Sequence, residues 1–119
     1  MAIAGIGIDV VDLARFERAV SRTPALRDRL FTVSERGLPL RSLAGRFAAK
    51  EALMKAFGDA TGVTWHDMEV VSDGEGNPSM ALSGAAAEIA ARREIAYIHL
   101  SMSHDAGVAI AQVIVERLP

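Results

Sequence analysis

Two hydrophobic periods alternate along this chain. Residues Ala2 to Ile8 (AIAGIGI) form a short apolar run that reads as a strand ending at Asp9. Leu13 to Val20 is helix-like and breaks at Thr23-Pro24, and Leu26 to Phe31 reads as a further helical turn. Thr32-Val33-Ser34-Glu35 has the spacing of a capping box, which predicts one more short helix halted before Pro39. The strongest helical pattern follows, with Ser42 as N-cap, Leu43 to Phe57 as its body and Gly58 as C-cap. At about 100° per residue, Leu43, Phe47, Met54 and Phe57 share one arc, the expected core stripe. Lys50 projects inside that arc, Glu51 along its edge, and Lys55 one turn beyond Glu51.

The second half changes period. Asp67 to Ser72 and Ser79 to Leu82 flank Asp73-Gly74-Glu75-Gly76-Asn77-Pro78, which predicts a hairpin. Ser83 stands as cap before an alanine-rich helix over Gly84 to Glu94. From Tyr97 to Ser103 the pattern alternates, with Ile98, Leu100 and Met102 facing one way and His99, Ser101 and Ser103 the other. His104 to Gly107 reads as a turn into Val108 to Val115, a strand apolar on both faces and therefore central or buried between subunits. The order strand, helices, hairpin, helix, hairpin predicts an α+β fold with a mostly antiparallel sheet. One domain over 1–119 is expected, small enough for oligomerisation to help cover its apolar surface.

Composition narrows the class. The 119 residues are 50% hydrophobic and 24% charged, too apolar for a disordered charged tail. Without cysteine there is no disulfide framework, thiolate zinc site or cysteine nucleophile. No apolar run reaches the ~20 residues that span a bilayer, and the N-terminus lacks the basic region of a secretory signal. A soluble, cytoplasmic protein is expected.

The net charge of −2 hides an asymmetry. Between Arg15 and Arg46 stand eight arginines and three acids, an excess of +5 that leaves −7 for the remainder. Such a face either is a solvated helix surface or meets an anionic partner, where charge speeds and orients encounter. Nucleic acid is not favoured, because aromatics for stacking are few and the isoelectric point is near 5.9.

Gly5-Ile6-Gly7 after a strand lacks the third glycine of a dinucleotide fingerprint, since Val10 stands there. Asp9 is either a helix cap or a functional carboxylate at a strand end; Asp12 is the better cap, which frees Asp9. Glu51 and Lys55 have the spacing of a surface helix pair worth about 0.2–0.5 kcal/mol. They also sit beside Arg46 and Lys50 among alanines, which leave room for a phosphate or metal. Asp9 and Glu51, with ligand phosphates and water, suit Mg²⁺, which seldom has an all-protein cage. Ser103-His104-Asp105 has the residue types of a hydrolase triad, but sequence neighbours rarely form one and no G-x-S-x-G elbow exists.

Taken together, Gly5-Ile6-Gly7-Ile8-Asp9 leading to Arg15-Phe16, Gly45-Arg46-Phe47-Ala48-Ala49-Lys50-Glu51-Ala52 through Lys55 and Gly58, and Ser101-Met102-Ser103-His104-Asp105 closely resemble the bacterial holo-[acyl-carrier-protein] synthases. The resemblance spans nearly the whole chain, in order. It implies the 4′-phosphopantetheinyl transferase fold and transfer of 4′-phosphopantetheine from coenzyme A to a serine of apo acyl carrier protein, in fatty acid biosynthesis. By the same resemblance Asp9 and Glu51 would ligate Mg²⁺ with the coenzyme A pyrophosphate, and Lys55 would steady the departing phosphate. Arg46 and Lys50 would line that pocket, while Ser103 and His104 would bind the nucleotide end across a subunit boundary. Arg15, Arg18 and Arg22 would grip the acidic carrier, free or embedded in a synthase. A homotrimer with active sites at its interfaces is implied as well. A non-catalytic oligomeric module that binds coenzyme A or acidic carriers is the main alternative, and a nucleotide pyrophosphate hydrolase a second.

Overall fold

A computed structural model describes residues 2–119. Strand β1 (Ala2–Asp12) runs into α1 (Leu13–Arg22) and the short α2 (Ala25–Leu30), and turns over 31–39 lead to the long α3 (Leu40–Phe57). A 3₁₀ turn (Trp65–Asp67), the hairpin β2 (Met68–Ser72) and β3 (Pro78–Leu82), and α4 (Gly84–Arg92) follow. A second hairpin, β4 (Ile95–Asp105) and β5 (Val108–Arg117), completes the order. The fold is α+β with every strand pair antiparallel, in one sheet ordered β1-β5-β4 and a second formed by β2 and β3.

The doubly apolar strand is central, as its pattern demands. Ala109, Ala111, Val113 and Val115 are buried on the β5 face that meets α3. Helix α3 is wrapped by the sheet on one side and by α1 and β2 on others, so most of its circumference is buried rather than one stripe. Its alanines 48, 49, 52 and 56 keep it slim, and β1 answers with glycine. A Cβ on Gly7 would lie 1.9 Å from the Ala52 carbonyl oxygen, and one on Gly5 2.0 Å from that of Ala56. The two backbones are in direct contact there, and this contact carries Asp9 to the flank of α3.

Several boundaries differ from the sequence expectations for physical reasons. Strand β1 continues through Asp12, so Asp9 lies within the strand rather than at its end; Asp12 is the cap, accepting from Arg15 N at 2.8 Å. Residues 31–39 form turns rather than a helix. Glu35 does accept from Thr32 N at 3.0 Å, as in a capping box, but its carboxylate is drawn into the core instead of a helical turn being extended. Helix α3 starts at Leu40 after Pro39, with no side-chain cap, so Ser42 is inside it. Gly58 is the C-terminal stop, donating to the Met54 and Lys55 carbonyls. Ser83 caps nothing with its side chain. Asp67 does that work from a distance, its carboxylate accepting from the Ala85 and Ala86 N–H groups and from Thr64. The turn after β4 is only Ala106-Gly107, both at positive φ as a two-residue hairpin requires. No helix among the described residues is long and apolar enough to cross a membrane.

Candidate active site

Two remote segments of chain meet at one acidic spot. Asp9 projects from β1 toward α3, where Glu51 and Lys55 stand one turn apart. Lys55 Nζ donates to Asp9 Oδ1 at 3.0 Å and to the Ile8 carbonyl at 2.9 Å. The Glu51 carboxyl is held above the ordinary glutamate range, first by burial and then by the Asp9 charge, against the opposing pull of Lys55. Like charges so placed are what a divalent cation relieves. The donors also fit Mg²⁺ chemically: two hard carboxylates, with other positions left to phosphates and water. No group of three or more His, Asp or Glu ligands forms among the described residues, so a self-sufficient protein cage is not offered.

This cluster opens into a cleft of about 610 Å³. Val11, Phe16, Ala19 and Phe47 line one part; Leu26, Leu30 and Trp65 line the other. Aromatic rings stiffen the floor, with Phe16 and Phe47 centroids 5.8 Å apart and Phe47 and Trp65 5.4 Å apart. Arg15 and Arg29 both border the cleft. The apolar lining was not singled out by sequence, because its members are spread over five elements. Arg29 was visible only as one of eight arginines. Arg18 and Arg22 are exposed on α1, at helical spacing from Arg15, beside a separate shallow surface. Arg27 and Arg36 are structural instead, donating to the Arg36 carbonyl at 2.9 Å and the Phe31 carbonyl at 3.0 Å respectively.

Lys50 does not line the pocket. It is completely buried, with Nζ 2.7 Å from Glu35 Oε1, 2.8 Å from the Leu30 carbonyl and 3.4 Å from the Trp65 carbonyl. Arg46, Ser103 and His104 are also outside the lining of this cleft. His104 packs on Gly45, its Nε2 donating to the Arg41 carbonyl at 3.1 Å. The Arg46 Nε is buried without a partner among the described residues. In register, His104 pairs with Ala109 and Val11 pairs with Ala109 from the other side, so His104 lies two strand spacings, roughly 10 Å, across the sheet from Val11. Ser103 pairs with Ile110 opposite Val10 and so faces away from α3, on the outer side of the sheet.

A profile of the 4'-phosphopantetheinyl transferase superfamily matches residues 5–112. The chain belongs to that family. Its relatives include the holo-[acyl-carrier-protein] synthase of Leifsonia xyli subsp. xyli, 65% identical over 97% of this chain and 98% of that one. The synthase of Clavibacter sepedonicus is 60% identical over 96% of each. Among solved structures, the holo-[acyl-carrier-protein] synthase of Neisseria meningitidis superposes with a TM-score of 0.87 at 32% identity, covering 98% of this chain and all of the other. That of Helicobacter pylori, solved in complex with coenzyme A, gives 0.83 at 35% identity over 93% and 99%. The phosphopantetheinyl transferase fold expected from the motifs is therefore the fold observed, and Asp9, Glu51 and Lys55 lie within the matched span.

Proposed function

We propose that this chain, as a single domain over 1–119 in the cytoplasm, transfers 4′-phosphopantetheine from coenzyme A to a serine of an apo acyl carrier protein, serving fatty acid synthesis. The observation that carries the reading is the junction of Asp9 with Glu51 and Lys55 at the mouth of an apolar cleft. In the reaction the serine Oγ forms a bond to the phosphorus that bears pantetheine. The bond from that phosphorus to the bridging oxygen breaks, and adenosine 3′,5′-bisphosphate leaves. Catalysis of this kind rests on charge neutralisation and in-line placement more than on covalent help. Asp9 and Glu51 would hold Mg²⁺, which when bound offsets the diphosphate's negative charge. Lys55, half exposed and anchored on the Ile8 carbonyl, would steady charge on the departing phosphate. The Glu51 carboxylate, or water associated with the bound metal, would take the hydroxyl proton. Arg15 at the cleft border, with Arg18 and Arg22 further along α1, supplies an oriented positive face for an acidic carrier.

A homotrimer with shared sites belongs to the same proposal. The outer face of β1 presents Ile6, Ile8 and Val10, each more than half exposed. Both edges of the three-stranded sheet carry site residues: Asp9 on β1, Ser103 and His104 on β4. Apposing β1 of one subunit to β4 of another would cover the apolar ridge and bring the unpartnered Arg46 Nε and His104 toward a ligand held by Asp9 and Glu51. Lys50 has no place in this pocket.

Incubation with coenzyme A, Mg²⁺ and apo carrier, followed by mass spectrometry, should add one phosphopantetheine to the carrier, and the D9A/E51A double variant should abolish it. Modification that survives the double substitution overturns the site assignment. Retention of coenzyme A without transfer would instead identify a binding module, and bisphosphate release without carrier a hydrolase.

A further inference from the structure

The Lys50 ammonium is the only cation completely enclosed by this fold among the described residues, and it touches nothing in the acidic cluster. Its partners belong to the far wall of the cleft. It donates to the carbonyl of Leu30, where α2 ends, and to that of Trp65, in the 3₁₀ turn. Both of those side chains line the cleft. Its third partner, Glu35, spreads the tie further: Oε1 also accepts from Thr32 N at 3.0 Å, and Oε2 accepts from Val70 N of β2 at 3.0 Å. Glu69, the neighbouring residue of β2, accepts from the hydroxyls of Thr32 and Ser34 and so pins the same turn from outside. The Lys50 ammonium also stands 5.1 Å from the Phe31 ring centroid. One buried charge pair thus gathers α2, the 31–39 turns, the 3₁₀ turn and β2 onto α3.

The other half of the site has no such need. Asp9, Glu51 and Lys55 ride on β1 and α3, which are locked by direct backbone contact at Gly5 and Gly7. The two halves of the site are therefore held by different means, one by close packing and one by a buried ion pair.

We infer that Lys50 and Glu35 are positioning residues that set the Leu30–Trp65 wall, and through it the affinity for the carrier, without bearing on the diphosphate end of coenzyme A. The inference rests on the transferase reading, and its test separates the two. Removing one charge alone strands the other in the core, so the informative variant is K50M/E35Q, which removes both. Trp65 is the sole tryptophan, so its emission reports the wall directly and needs no activity.

In K50M/E35Q, acrylamide quenching of Trp65 should increase while unfolding remains cooperative. The KM for apo carrier should rise by about tenfold or more, with kcat at saturating carrier and the affinity for adenosine 3′,5′-bisphosphate each within about twofold of the parent. E35D keeps both charges but shortens the reach, and should shift the same quantities in the same direction by less. Should the double variant fail to fold, E35D decides alone. Unchanged Trp65 emission, or a fall in kcat with the carrier KM unmoved, overturns the inference. If the parent protein transfers nothing to any carrier, the transferase reading fails, while the Trp65 measurement still judges the wall.

Discussion

Gly7→Ala is the sharpest probe of how the site is assembled. The added Cβ would stand 1.9 Å from the Ala52 carbonyl oxygen and 2.8 Å from Ala56 N. Both are backbone atoms in mid-helix, so no rotamer change relieves the clash. Reaching an ordinary 3.4 Å contact requires β1 and α3 to separate by about 1.5 Å. Overpacking of this kind costs roughly 1–3 kcal/mol, and two rigid backbones place it near the upper end. For a chain of this size that is a fall of about 10 °C in Tm. The same separation lengthens the 3.0 Å contact between Lys55 Nζ and Asp9 Oδ1 beyond hydrogen-bond reach. It also moves Glu51 away from Asp9. A displacement near 1 Å at reacting groups lowers turnover by about 10²-fold. Thermal denaturation and the mass-spectrometric transfer assay read the two effects, the latter below the Tm of the variant. Gly37→Ala is the control, because nothing lies within 4 Å of its new Cβ. A Gly7→Ala protein with parental Tm and turnover would refute both the backbone contact and its role in setting the cluster.

Other outcomes follow from single groups. Glu51 keeps its proton in the folded chain at pH values where the unfolded chain has released it, so its contribution to stability declines as pH rises through that window. In metal-free buffer, E51Q should therefore gain Tm relative to the parent as pH rises through and above the ordinary glutamate range, and a difference independent of pH would contradict the assignment. Burial alone would raise the Asp67 carboxyl, but the Thr64, Ala85 and Ala86 donors hold it below the ordinary range. D67A should thus cost about 1–2 kcal/mol by denaturant titration. S83A, by contrast, should stay within about 0.5 kcal/mol of the parent. Ile8→Glu places a charge on the exposed apolar ridge of β1 and, on the proposed trimer, should shift sedimentation of the parent assembly toward monomer; a parent that sediments as a monomer would refute the proposed assembly, and a variant that stays trimeric would move its interface elsewhere.

Local chemistry was legible in the amino-acid order. Asp12 caps α1 because a cap needs only its own next three residues, and β5 is central, as its long apolar run implied, with Ala109, Ala111, Val113 and Val115 buried against α3 and its other face partly open. The alternation of β4 likewise came through, with Ile98, Leu100 and Met102 turned inward and Ser101 and Ser103 out. Motif order also carried the family and the meeting of Asp9 with Glu51. Caps supplied from a distance were not legible: Ser42 and Ser83 have the right chemistry, but Pro39 starts one helix and Asp67 secures the other.

Lys50 and Lys55 show most clearly where local reading ends. Both lie on α3 near Glu51; the helical period puts Lys50 inside the core arc and Lys55 beyond it, but does not say whether a ligand or a buried counter-charge meets each ammonium. Tertiary structure decided it, because only the folded chain brings Glu35 and the Leu30 and Trp65 carbonyls around one ammonium and Asp9 beside the other. A residue's period states which way it points from its own element. Whether a charge there meets water, a ligand or a buried counter-charge depends on segments remote in the chain, and burial without such a partner would be too costly to persist.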